Sequence, residues 1–498
     1  MRLFIQFAPS FLNLPVAALN KLKSHDIEYV GGLYCGTHRF HDWLMNQPAC
    51  KNTPMFYPDP IEMDWVRQPL DHAELDRIRK VYGDDELQKI IIGDRHIGVG
   101  YVTGGLVTPT TMTKAIQAGG PDAIWQYLVS LFCAIEKIFD ETNPDAIFQH
   151  AVAGAVSLTT RAVAKSRGIR AIKMEHARIG SQMFLTDGHH IAGRILTLME
   201  DDQSISEESR NEARAKIESI RKSRNVPEYT QMVKKRLQRR HSVRSLPRSL
   251  CKIGAGLLSG KHDTPHSSRF HNGVNDAMAP WRYWAQRNAL KQNLTVFSPE
   301  SSGPFAYYPL HVDPEASTMV LAPRYTDQLS LIRTISQSVP IGMKLVVKEH
   351  RPMIGRRPAS FYSRIARIPG VILVSPDLDS HEMIQTSSII TTITGTTGLE
   401  SVIIGKPTLV IGDPYYRHID HGIIHLEDHS SMSEAIAAAL VSKPAEDEDL
   451  IQFLGAVNQL SFTLPSRYIW TTSAQANDAE MNTAATTLAQ ELIEVCKS

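Results

Sequence analysis

Residues 389–413, IITTITGTTGLESVIIGKPTLVIGD, read as strand, glycine turn, helix and strand. An apolar, β-branched run (Ile389–Thr394) precedes Gly395, a helical stretch Gly398–Ile404 ends at Gly405-Lys406-Pro407, and a second β-branched run (Thr408–Ile411) follows. Upstream the same alternation repeats. Phe305–Leu310 reads as a strand, Asp327–Ser338 as a helix, Lys344–Lys348 as a strand and Ser360–Ile368 as a helix, followed by the strand Val371–Val374 and the helix Ser380–Thr386. Five strands and four helices over 305–412 predict a parallel sheet with helices on both faces, a Rossmann-like α/β domain.

The amino-terminal part shows the same pattern more weakly. Arg2–Ala8 and Tyr29–Tyr34 read as strands around a helix through Leu12, Leu14, Val16, Leu19 and Leu22. A helix Ala123–Asp140, a strand Ala146–Gln149, a small-residue helix Ala153–Ser166 and a strand Ala171–Met174 continue it, while residues 36–120 have mixed periodicity. With 498 residues the chain exceeds what one core sustains. The expected organisation is a Rossmann-like domain over 1–200, a helical, basic linker or insertion over 201–302, a second Rossmann-like domain over 303–470, and a final helix in 471–498 that crosses back to the first domain.

Net charge is only +1, from 53 basic and 52 acidic residues, so no global attraction to nucleic acid is expected. Charge is local instead: Lys234–Arg248, KKRLQRRHSVRSLPR, holds seven Lys or Arg, a candidate contact for an anionic membrane surface, and it lacks the interleaved aromatics of a nucleic-acid arm. Five scattered cysteines with no CxxC pair suggest neither a disulfide framework nor a zinc site. MRLFIQFAPSF lacks a signal-peptide layout and reads as a buried strand. The expected setting is cytoplasmic, either soluble or peripheral at the inner face of the inner membrane.

In open parallel sheets ligands sit beyond the carboxyl ends of the strands, so the residues just after each strand are the informative ones. In the second domain these include His311 and Glu315 after the first strand, Lys348, His350 and Arg351 at the end of the second, and TGTTGLE after the fourth. Thr394, Gly395, Thr396, Thr397 and Gly398 open a helix, offering hydroxyls, a pliable backbone and a helix dipole to a phosphate. Glu400 would face sugar hydroxyls. His350, flanked by cations, would donate to a leaving phosphate. In the first domain KMEHARIG places Glu175, His176 and Arg178 in what reads as a post-strand loop, with Glu175 or His176 as the group that takes an acceptor proton. No metal site is expected, because HExxH and carboxylate-triad spacings are missing.

YYPLHVDPEAST, YTDQ (Tyr325–Gln328), KEHRPMIGRRP, SPDLDSHE and TITGTTGLESVIIGKP resemble, in order and spacing, the carboxy-terminal half of bacterial capsular polysaccharide synthesis proteins. Some of those are β-Kdo transferases that use CMP-Kdo. The resemblance covers about 305–412 and extends faintly to MEHARIG. It implies a GT-B fold, two Rossmann-like domains facing a cleft, with a nucleotide-sugar donor on the second domain and a glycan or glycolipid acceptor on the first. By resemblance His350 and Thr394–Gly398 would hold the donor phosphate, and Glu315, Gln328 and Glu400 would line nucleotide or sugar. Where the related enzymes carry His-Pro, this chain has His350-Arg351-Pro352. The expectation is a metal-independent glycosyltransferase with no cofactor beyond its nucleotide-sugar co-substrate. A GT-B-like UDP-sugar epimerase and a noncatalytic nucleotide-sugar or glycan-binding subunit stay open beside it.

Overall fold

The computed structural model describes the chain apart from residues 10, 24, 35–37, 58–64, 66–67, 108, 151, 188–190, 202–203, 224–245, 259–268, 359, 466–467, 470–478 and 498. Two sheets organise it. The first contains β1 (Arg2–Phe7), β2 (Glu28–Tyr34), β3 (Met55–Phe56), β4 (Ala146–Gln149), β5 (Arg170–His176), β6 (Gln182–Asp187) and, from the far end of the chain, β13 (Phe462–Thr463). Its order is β13-β6-β5-β4-β1-β2-β3, parallel except for β6 and β13. The second sheet contains β7 (Phe305–Pro309), β8 (Lys344–Lys348), β9 (Val371–Val374), β10 (Ile389–Thr392), β11 (Thr408–Val410) and β12 (Ile423–His425). It is all parallel in the order β12-β11-β10-β7-β8-β9. That is the doubly wound order, with its topological switch between β7 and β10.

Helices cover both faces, as strands buried on two sides require. On the first sheet the helices Asn13–Leu22 and Ala479–Lys497 share one core with Leu3, Ile5, Phe7 and Ile172. The helix Asp122–Thr142 buries Tyr127, Phe132 and Phe139 on the other face. In the second sheet the period-2 pattern divides Leu345 and Val347 from Val346, which enter separate cores.

Three boundaries differ from the expected ones. The second domain does not run to residue 470, because β13 pairs antiparallel with β6 of the first sheet. The 201–302 segment is more than a linker: the helix Glu207–Lys222 enters an apolar core shared by both domains, and the helix Arg269–Asn293 seats Leu290 in the core of the second. Within the basic run, residues 234–245 lie outside the described residues. Finally, Glu175 and His176 are not in a loop. They end β5 opposite Phe184 and Met183 of β6, in a hairpin whose turn carries Arg178 and Gly180 at φ 61° and 53°.

Candidate functional site

The switch point of the second sheet is built around His311. Gln328 is wholly buried and clamps that backbone: its Oε1 accepts from the His311 N–H at 2.8 Å and its Nε2 donates to the His311 carbonyl at 3.2 Å. Arg357, equally buried, donates to the same carbonyl at 2.8 Å, forks onto Glu349 with both contacts at 3.0 Å, and lies 3.3 Å from Asp313. Such a desolvated ion network is stable only because each charge is paired and hydrogen-bonded. It makes one rigid block of the strand ends after β7 and β8.

The His311 ring reaches β10. Its Nε2 accepts from the Thr394 N–H at 3.3 Å, which leaves the ring proton on Nδ1. Burial, and then the positive charges of Arg178, His350 and Arg357, push its pKa down to about 3, so the ring is neutral. Thr394 in turn donates its hydroxyl to the Ser317 carbonyl at 2.9 Å.

After Thr394 the chain turns through Gly395 into the helix Thr396–Ile404, whose start has no side-chain cap. The two glycines serve packing: a Cβ on Gly395 would lie 2.9 Å from Thr392 Oγ1 and 3.2 Å from His311 Nε2, and one on Gly398 would lie 2.6 Å from the Tyr416 hydroxyl. Glu400 is buried one turn into the helix. The equivalent place in the first sheet is already filled. There Asp94 accepts from the Ala155 N–H at 2.9 Å, capping the helix after β4 with a protein carboxylate, and Phe11 stacks on His150 at 4.2 Å. At the second switch point the N-cap position is Gly395, which has no side chain to cap the helix.

A cation reaches this corner from the other domain. Arg178, on the β5–β6 turn, donates through Nη1 to the Thr394 carbonyl, and its own N–H donates to His176 Nδ1 at 2.6 Å. Among the described residues it has no carboxylate partner within ion-pair distance. Burial, with Arg178 next, lowers the His176 pKa to about 4, and with Nδ1 accepting, the ring proton lies on Nε2. Glu175 pairs with Lys173 at 2.5 Å rather than with Arg178. Tyr415 donates to the Ala177 carbonyl at 2.6 Å, and Gly104 of the first domain accepts from Arg357 at 2.7 Å, so the carboxyl edges of the two sheets meet directly.

Several expected donor contacts are placed otherwise. Gln328 spends its amide on His311, Tyr308 and Asp313 and so positions the site without lining it. Lys348 is buried, with Nζ 2.6 Å from Ser380 Oγ. Arg351 turns to Asp377 at 2.7 Å and lines a cavity of about 240 Å³ that includes no residue of the β7–β10 corner. Glu315 accepts from Ser317 Oγ at 3.0 Å. The roles of Arg357 and Gly104-Gly105 escaped the sequence reading; the paired glycines in GYVTGGLV were the one signal of a close approach, here against Asp313. Among the described residues no three His, Cys, Asp or Glu side chains gather as a metal-ligand set.

Residues 280–423 match the family described as capsule polysaccharide biosynthesis protein. That match contains the whole β7–β10 corner. No curated protein matches the chain. Among solved structures it is similar to KpsC, a β-Kdo 2,7 transferase of Thermosulfurimonas dismutans, at 11% identity over 73% of this chain and 89% of that one, with a TM-score of 0.33. It is also similar to UDP-GlcNAc 2-epimerase of Neisseria meningitidis bound to UDP-GlcNAc, at 10% identity over 99% and 100%, with a TM-score of 0.26.

Proposed function

We propose that the protein is a glycosyltransferase of capsule synthesis, moving a sugar from a nucleotide donor to a polysaccharide or glycolipid acceptor. The observation that carries this reading is the uncapped start of Thr396–Ile404 at the switch point, met across the domain boundary by Arg178. A donor phosphate there would accept from the N–H groups of Thr396 and Thr397, and the helix dipole and the Arg178 guanidinium would meet its charge. As the sugar–phosphate bond breaks, negative charge grows on the phosphate, and we assign its stabilisation to Arg178 and His350.

His176 is a poor proton acceptor, since its Nδ1 is occupied and its pKa is depressed. We therefore assign the acceptor hydroxyl's proton to the Glu175 carboxylate, held at the end of β5 by Lys173. The finer reading, CMP-Kdo as donor, is supported by the motif order over 305–412. The test is incubation with CMP-, UDP-, GDP- and dTDP-sugars together with a capsule-type acceptor. Free nucleotide with a glycan product is the expected result. A sugar changed at one carbon with no transfer would identify an epimerase instead, and tight binding without turnover a scaffold.

A further inference from the structure

The helices Leu246–Leu258 and Arg269–Asn293 form an antiparallel hairpin on the second domain: Gly273 packs on Ile253 and Gly256 on Phe270, where a Cβ would lie 2.8 and 2.6 Å from its neighbour. The inner face of the longer helix buries Gln286 and Leu290, with Gln286 accepting from the Arg357 N–H at 3.1 Å. Its outer face is apolar yet exposed. Val274, Met278, Trp281 and Trp284 follow at helical spacing, with Trp281 62% and Trp284 57% exposed and their ring centroids 5.4 Å apart. The shorter helix adds Leu250 and Leu257, 62% and 71% exposed. Eight of the fifteen exposed large hydrophobic side chains among the described residues lie on this hairpin, so the patch is concentrated and not scattered.

Its charge is one-sided. The two helices carry Arg248, Lys252, Arg269, Arg282, Arg287 and Lys291 against a single carboxylate, Asp276, which pairs with Lys252. In sequence the hairpin follows a run of six more Lys or Arg over 234–244. Arg287 and Lys291 continue the tryptophan stripe at the same helical spacing. Tryptophan prefers the boundary between apolar and polar phases, and basic side chains are drawn to anionic headgroups. A twofold contact between copies would set this cationic face against itself.

We propose that this hairpin is a peripheral membrane dock that lays its Trp281–Trp284 face into the headgroup region of an anionic phospholipid surface. No helix among the described residues is long and apolar enough to cross a membrane, so the contact is interfacial. The proposal needs no turnover and stands or falls apart from the transferase reading. Full-length protein is sedimented with extruded vesicles of phosphatidylglycerol and phosphatidylcholine, and with phosphatidylcholine alone. The expected result is co-sedimentation with the anionic vesicles only, weakened by salt and by about tenfold or more in Trp281→Ser/Trp284→Ser and in Arg287→Ser/Lys291→Ser. All four side chains are exposed, so both variants should melt as the parent does. Equal partition of the parent and both variants, or no partition at all, would overturn the dock. So would a dimer in sedimentation velocity that the double tryptophan variant dissolves, since a second copy would then cover the face.

Discussion

Arg357 and Arg178 show how differently two guanidinium groups are used within one site. Arg357 is sealed among Glu349, Asp313 and two backbone carbonyls, and its work is to hold the strand ends. Arg357→Met would leave Glu349 and Asp313 buried without their partner, a loss of about 3–5 kcal/mol that urea unfolding would show. Among the described residues the Arg178 guanidinium donates to the Thr394 carbonyl and has no carboxylate within ion-pair distance, which under the proposed function leaves its charge for a phosphate. Arg178→Ala and His350→Ala are each expected to lower kcat by about 10²–10³ with the melting temperature nearly unchanged. An unchanged kcat in either would remove that side chain from the transition state. Glu175→Gln should abolish transfer while donor affinity, read by calorimetry, persists; a variant that still transfers would move the base elsewhere.

At the scale of elements, the comparison that matters is between the two helix starts. The helix after β4 has its dipole answered by Asp94, whereas Thr396–Ile404 starts at Gly395, which has no side chain to cap it, and under the proposed function the donor phosphate would take that place. The glycines that open the latter helix let it sit against His311 and the Tyr416 hydroxyl, which in turn donates to the Gly395 carbonyl. Gly398→Ala would force its methyl to 2.6 Å from that hydroxyl and 2.9 Å from Thr392 Cγ2. Overpacking of this kind costs about 1–3 kcal/mol. The expected outcome is a lower melting temperature together with weaker nucleotide binding, and a variant unchanged in both would mean that the corner yields more easily than its packing implies.

Across the whole molecule the two sheets are joined by shared core. Phe184, Ile191 and Ile217 pack in one cluster with Leu399, Val410 and Tyr415, and the helix Ala479–Lys497 returns to the first domain. Unfolding is expected as one transition, and two separated transitions in calorimetry would contradict that coupling. Burial, acting first in each case, lowers the pKa of His150 to about 3, of His176 to about 4 and of His311 to about 3. In the unfolded chain they titrate near ~6.5, so between these limits the unfolded state binds more protons. Their stability contribution is therefore complete above about pH 6.5 and is lost as pH falls toward about 4, at up to about 1.4 kcal/mol per unit for each histidine. Urea midpoints at about pH 7.5 and about pH 5 would measure this loss, and His150→Phe, which keeps the stack on Phe11, should shrink it.

Sequence alone determined the alternation of strands and helices over 305–412 and the glycine–threonine turn that opens the helix Thr396–Ile404. Both are local: period-2 and period-3.6 burial and a helix start are written within a few neighbouring residues. The ends of β5 and β6 were not legible in that way, because Glu175 and His176 look like loop residues until β6 folds back on them. Nor could local pattern show that Gln328 is buried against His311 or that Arg351 turns away to Asp377. Arg178 reaches Thr394 across 216 residues of chain, and Arg357 reaches Gly104 across 253. Contacts of that span arise only when two sheets dock edge to edge, and that docking, not any motif, decided which charges meet at the site.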